Sequence, residues 1–120
     1  MKLLIIGALG ALGVLLRYGL SQYMPPSSFT WPVLAVNVVG SFIAGVIFTM
    51  HIAPSEGAHP WASLVLIGVL GGLTTFSSYA LDTVRLLESS AWSLALLNIG
   101  LNNFLSIGAC YLGVKLPLYI

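Results

Sequence analysis

Four long runs of apolar residues, almost empty of charge, constrain this chain more than any other feature. Leu3–Met24 holds one charged residue, Arg17, and Trp31–Ile52 and Ala91–Val114 hold none. The third run is uncharged over Trp61–Leu81 and continues in helical register through Asp82 and Arg85 to Leu87. A helix that crosses a bilayer needs about 20 such residues. Pro25-Pro26-Ser27-Ser28, the stretch 53–60 and Glu88-Ser89-Ser90 separate the runs, with the proline and serine clustering of loops. Only 6% of the 120 residues are charged, against about 25% in a soluble domain. So small and apolar a chain cannot cover a globular surface with polar groups. The expected fold is an all-α membrane protein. It is one domain over residues 1–120, with four transmembrane helices near 3–24, 31–52, 61–87 and 91–114.

The opening stretch resembles a secretory signal peptide, but its apolar run continues past Arg17 and three more spans follow. Trp31, Trp61 and Trp92 each begin a span, where interfacial aromatics belong. Pro32 and Pro60 fall in first turns, where a missing N–H costs little. The single cysteine, Cys110, reads as a small packing residue. His51 and His59 flank the second loop with Glu56, and nothing else in the loop completes a metal site, so they read as solvated.

Four spans put both termini on one side. Lys2 and Lys115 lie there, and Arg17 and Arg85 lie toward the other. Because orientation follows the excess of lysine and arginine, two against two sets none. Insertion in both orientations, and hence an antiparallel dimer, is compatible with this balance. Glycines punctuate helices 1, 3 and 4 in the spacing of close helix contacts.

Polar residues interrupt the spans. Asn98, Asn102 and Ser106 form a stripe on helix 4 at i, i+4, i+8. Thr75, Ser78 and Asp82 form another on helix 3, and Asn37 stands alone in helix 2. Any one of these residues is ordinary interhelical glue, worth about 0.6 kcal/mol on average. Two stripes of uncharged donors also suit a small anion that must shed its water without being trapped by full charges. Arg17, near the end of helix 1, fits either a snorkelling anchor or a cation at a vestibule mouth.

The third span contains "VLGGLTTFSSY", Val69 to Tyr79. Gly71 and Gly72 weaken a helix by roughly 1 kcal/mol each relative to alanine, and the hydroxyls of Thr74 and Thr75 compete for backbone partners. Thr74 is the midpoint of 61–87. A helix broken at Gly71–Thr75 would free carbonyls near the bilayer centre, where a bound cation can satisfy them. A flexible kink packed against a neighbour explains the same residues. Phe76 and Tyr79 share a face at i, i+3, and their rings have positive edges that could meet an anion.

"GGLTTFSSYALDT", Gly71 to Thr83, resembles the signature of the CrcB/Fluc fluoride channels, commonly G-G-x-T-T-F-S-T-F-S-x-E. "LGVLLRY", Leu12 to Tyr18, and "WPVLAVNVVGSFIAG", Trp31 to Gly45, resemble that family's helix 1 and helix 2 patterns. The resemblance implies a passive, fluoride-selective exporter of the bacterial cytoplasmic membrane, assembled as an antiparallel dual-topology homodimer with two pores. It implies that Phe76 and Tyr79 hold the aromatic positions whose ring edges contact fluoride. Asn37, Ser77 and Ser78 would line the polar track, with Asn98, Asn102 and Ser106 as further donors from helix 4. Gly71 and Thr74 would offer backbone carbonyls to a structural sodium ion at the dimer interface, and Arg17 would be the vestibule arginine. The chain departs from the pattern at Tyr79, where phenylalanine is usual, at Ala80 for serine, and at Asp82 for glutamate. Asn98 and Asn102 stand where helix 4 often has tyrosine and serine. The rival reading is a small multidrug antiporter, which has the same span count and dual topology but needs an embedded glutamate in helix 1. Leu3–Met24 has no acid.

Overall fold

A computed structural model describes residues 1–53, 57 and 59–120. Four helical segments in it are long and apolar enough to cross a membrane: Lys2–Tyr23, Trp31–Ile52, Pro60–Glu88 and Trp92–Leu118. The first is one helix, α1 (Lys2–Tyr23). The second is α2 (Trp31–Ile47), which widens into a π-helical turn over Phe48–Ile52. The third is composite. It contains α3 (Pro60–Val65), a second π-helical turn at Leu66–Leu70, the single turn α4 (Gly71–Leu73), and α5 (Phe76–Glu88). The fourth is α6 (Trp92–Lys115), ending in a 3₁₀ turn at Leu116–Leu118.

The boundaries follow local chemistry. Proline occupies the first turns of α2 and α3, where its fixed φ suits a helix start. Thr75 caps α5, its side chain accepting the Ser78 N–H at 3.1 Å. At the far end of α5 the Ala91 N–H reaches back to the Leu86 carbonyl at 2.8 Å, and the Ser90 N–H to Leu87 at 3.0 Å. This is the Schellman pattern. Its left-handed position is held by Ser90, at φ 59°, where glycine is usual. The last helix runs beyond residue 114, because Pro117 enters the tight final turn without a hydrogen bond to lose.

The spans pack as two pairs. α1 lies against the first half of the third span, and α2 against α6; α5 packs on α6. Both pairings are made by glycine. A Cβ on Gly13 would strike the Val69 carbonyl oxygen and the Leu73 amide, and one on Gly72 would strike the Gly10 carbonyl. In the other pair, Gly45 sits on the Cys110 carbonyl and Gly113 on that of Phe42. Backbone against backbone is the closest approach two membrane helices can make. Gly72 therefore serves the packing of the third span on α1. Gly71 has helical dihedrals (φ −63°, ψ −33°), so neither glycine leaves the helix. The extended residues are the two threonines: Thr74 at φ −80°, ψ 151° and Thr75 at φ −152°, ψ 118°.

A small apolar core of Ile47, Ala62 and Leu70, flanked by Ala44, Ile52 and Leu66, joins the end of α2 to the third span. Most large apolar side chains face outward instead, and in α1 only Gly13 is buried. His51 differs from the solvated residue expected. Its ring lies 4.5 Å from that of Trp61 and 5.6 Å from that of His59, and its Nδ1 is buried without a hydrogen-bond partner among the described residues. Glu56 lies outside the described residues.

Candidate functional site

The two extended threonines are held by one side chain. Asn37, in the middle of α2, accepts the Thr75 N–H at its Oδ1 (2.8 Å) and donates through Nδ2 to the Thr75 carbonyl (3.2 Å). It mimics the two-way pairing of a neighbouring strand. Its Nδ2 also donates to Asn102 Oδ1 at 2.9 Å. Asn102 in turn donates to Asn98 Oδ1 (2.8 Å), and Asn98 to Thr83 Oγ1 (3.0 Å). Thr30 closes that end by donating to Asn98 Oδ1 at 3.2 Å. On the other side of the threonines, Thr75 Oγ1 lies 3.2 Å from Ser77 Oγ and donates to Ser78 Oγ at 3.2 Å. Arg17 Nη1 donates to Ser78 Oγ at 3.3 Å. One unbroken chain of amides and hydroxyls therefore runs from Thr30 to Arg17, tying all four spans together.

This network engages two members of the polar stripe on helix 4, Asn98 and Asn102. Asn98 is fully buried and Asn102 is 5% exposed. Both N–H groups of Asn37 and of Asn102 are engaged by protein acceptors. A side-chain amide has only two such donors. These asparagines hold helices in place, and their donors are not free within a single chain.

Beside the network lies an open groove of about 390 Å³. Its walls come from α2 (Asn37, Gly40, Ser41), the third span (Gly71, Thr74, Thr75, Phe76, Tyr79) and α6 (Asn102, Asn103, Ser106). No Asp, Glu, His, Lys or Arg side chain is among the described residues that line it. Ser106 Oγ is buried yet has no hydrogen-bond partner among the described residues, a state that costs about 1–3 kcal/mol unless something else satisfies it. Phe76 is 76% exposed, and its ring meets Tyr79 edge to face with centroids 5.2 Å apart. The Tyr79 hydroxyl accepts from Asn103 Nδ2 at 3.1 Å.

A second cavity, of about 290 Å³, opens on the other side of α5 and is lined by Arg17, Tyr18, Ser21, Pro32 and Ser78. Helical geometry explains the division. At 100° per residue, Phe76 and Tyr79 share a face and Ser78 points away from it. The structure thus brings Phe76, Tyr79, Ser106, Asn37 and Asn102 to one groove and Arg17 and Ser78 to another. Ser77 is exposed. Asp82 lines neither; it borders a third hollow with Ser21, Ser27 and Thr30, and lies 3.9 Å from Arg85. Two polar groove residues, Ser41 and Asn103, lie outside the site expected from sequence. Ser41 falls one turn after Asn37 on the same face, a signal available in the spacing alone.

The extended threonines also rearrange carbonyls. In a continuous helix the Thr75 N–H would serve the Gly71 carbonyl and the Ser78 N–H the Thr74 carbonyl. Here the first is given to Asn37 and the second to Thr75 Oγ1. Both carbonyls lose their helical donors, and both residues border the groove.

Comparison with known proteins gives one consistent result. The profile of the family described as "CrcB-like protein, Camphor Resistance (CrcB)" matches residues 4–114. A protein of Aeromonas salmonicida (strain A449) named "Fluoride-specific ion channel FluC" is 44% identical over 116 residues, covering 94% of this chain and 93% of its own. One of the same name from Magnetococcus marinus is 42% identical over 111 residues, 88% of each. Another, from Renibacterium salmoninarum, is 39% identical over 127 residues, covering 97% and 98%.

Proposed function

The chain belongs to the CrcB-like protein family, and on that premise we propose that it is a passive, fluoride-selective ion channel of the bacterial cytoplasmic membrane, letting fluoride leave the cell. The observation that carries this reading is the groove itself. It offers hydroxyl donors and aromatic edges with no fixed charge, and one of its hydroxyls, on Ser106, is buried without a hydrogen-bond partner among the described residues. Fluoride is small and holds its water tightly. A path for it must replace that water with close donors, yet must not bind so strongly that the ion stays. Phe76, with its ring exposed beside the groove, adds the positive edge of an aromatic quadrupole. Arg17 stands outside the groove at the second cavity, where a cation raises the local anion concentration without trapping the ion inside. The antiporter reading does not survive: the relatives are named fluoride-specific ion channels, and α1 lacks the acid that exchange requires.

We further propose that two chains pair in opposite orientations, giving two pores. The even distribution of Lys2 and Lys115 against Arg17 and Arg85 supports dual insertion. The groove is open on one side in a single chain, and the exposed ring of Phe76 lies at its margin. A second copy would close it. A structural sodium ion at the pair's centre fits the donor set, because the carbonyls of Gly71 and Thr74 are hard, uncharged oxygens without their helical donors. The ion would hold these two segments together, with no part in selecting the anion.

The test is efflux from liposomes containing only this protein. Fluoride should leave while chloride stays. Equal passage of both ions, or of neither, would overturn the reading. Cysteine labelling from each side of the membrane tests the pairing: half of the copies should react from each side, and labelling from one side alone would refute it.

A further inference from the structure

The proposed path leaves open how Tyr79 meets the ion, by its ring edge or by its hydroxyl, and the bond from Asn103 decides between them. Asn103 Nδ2 lies 2.8 Å from the Ile99 carbonyl and 3.1 Å from the Tyr79 hydroxyl. A carbonyl oxygen only accepts, so the atom beside Ile99 must be the amide nitrogen. That fixes the amide. The remaining N–H points to Tyr79, whose oxygen accepts it. The phenol proton is therefore not used on Asn103, and no protein acceptor for it exists among the described residues. Tyr79 and Asn103 both line the groove. Accepting one hydrogen bond also makes a hydroxyl a better donor, since chained bonds polarise one another.

We infer that the Tyr79 hydroxyl is a fluoride-binding donor, oriented by Asn103 as a positioning residue, so that this chain meets the ion at that point through O–H rather than through a ring edge. This rests on the fluoride-channel reading and names a residue, Asn103, that the reading does not need. The chemistry favours a small hard anion over chloride, because an O–H donor gains most from an acceptor of high charge density. The ring of Tyr79 is already partnered. It stacks edge to face with Phe76, so its geometry is set by protein contact, and the hydroxyl is the part left to face the groove.

The experiment is fluoride efflux from liposomes for the wild type, Tyr79→Phe, Asn103→Ala, Asn103→Gln and the Tyr79→Phe/Asn103→Ala double variant. A hydrogen bond to a charged group is worth enough for about a tenfold change. Tyr79→Phe should lower fluoride efflux about tenfold. Asn103→Ala should lower it less, Asn103→Gln should restore part of the loss, and the double variant should match Tyr79→Phe alone. A second readout needs no variant to be active: on replacing chloride by fluoride, the near-ultraviolet tyrosine spectrum of the wild type should shift as a phenol donates to the anion. Asn103→Ala should weaken that shift, which loss of packing alone would not do. Full efflux in Tyr79→Phe, or no fluoride-dependent tyrosine shift in the wild type, overturns the inference and leaves the channel reading standing. Absence of fluoride efflux from the wild type overturns the channel reading itself.

Discussion

Pro60–Leu73 and Phe76–Glu88 belong to one span but are held by opposite means. The first half packs by absence of side chain: Gly68 and Gly72 let the backbone of α1 approach until only hydrogen atoms separate the helices. The second half packs by presence of polar groups. Thr75, Ser78 and Thr83 each bond another span or its partner in the network. Dispersion between close backbones has no directional preference and tolerates no added volume. Hydrogen-bonded side chains tolerate volume better but fail when one partner is removed. A channel that must keep donors in place needs both: a rigid seam to fix the span, and a directional network to aim its polar half.

This contrast can be broken from either side. The largest effect is expected for Gly72→Val or Gly13→Leu, whose new carbons would collide with backbone. Each should cost about 3 kcal/mol or more and give little folded protein by size exclusion in detergent. Asn37→Ala should come next. It strips Thr75 of a partner at both N–H and C=O, so stability should fall by about 2–3 kcal/mol and fluoride efflux should nearly cease. Thr75→Ala removes the α5 cap and should cost about 1 kcal/mol, with Thr75→Ser restoring most of it. Ser106→Ala sharpens the comparison. Its hydroxyl has no partner among the described residues, so thermal unfolding should be unchanged or slightly later while efflux drops. Destabilisation would place Ser106 among the packing groups. Ser90→Gly, outside both halves, should stabilise by about 1 kcal/mol by relieving the left-handed turn, with efflux unaffected.

The span pattern was legible because a bilayer imposes one length and one polarity on every helix; the structural spans differ from the expected ones by a residue or two, except at the fourth, which continues through Leu118. The glycine contacts were legible in kind but not in place. Spacing points to helices 1, 3 and 4, and only the fold pairs Gly10 with Gly72 and Gly13 with Val69. The sequence marks Gly71 and Gly72 as helix-weakening, yet both stay helical; at Gly72 propensity yields to the Gly10 carbonyl packed against it. The residue types of the site were visible, but their duties were not. Whether an asparagine offers its N–H groups to an ion or to another amide depends on which helix faces it. The α2–α6 pairing that joins Asn37 to Asn102 is a long-range fact. His51 departs from the solvated expectation for a related reason: Trp61, ten residues on, packs its ring 4.5 Å away.

The chain from Thr30 through Asn98, Asn102, Asn37 and Thr75 to Ser78 has a consequence for how the protein meets changing surroundings. Amides and aliphatic hydroxyls neither gain nor lose protons over roughly pH 2 to 12. The scaffold that aims the groove therefore keeps one shape in acid and in alkali. Any dependence of flux on acidity must arise outside this frame, which acts as a fixed reference against which such effects can be measured.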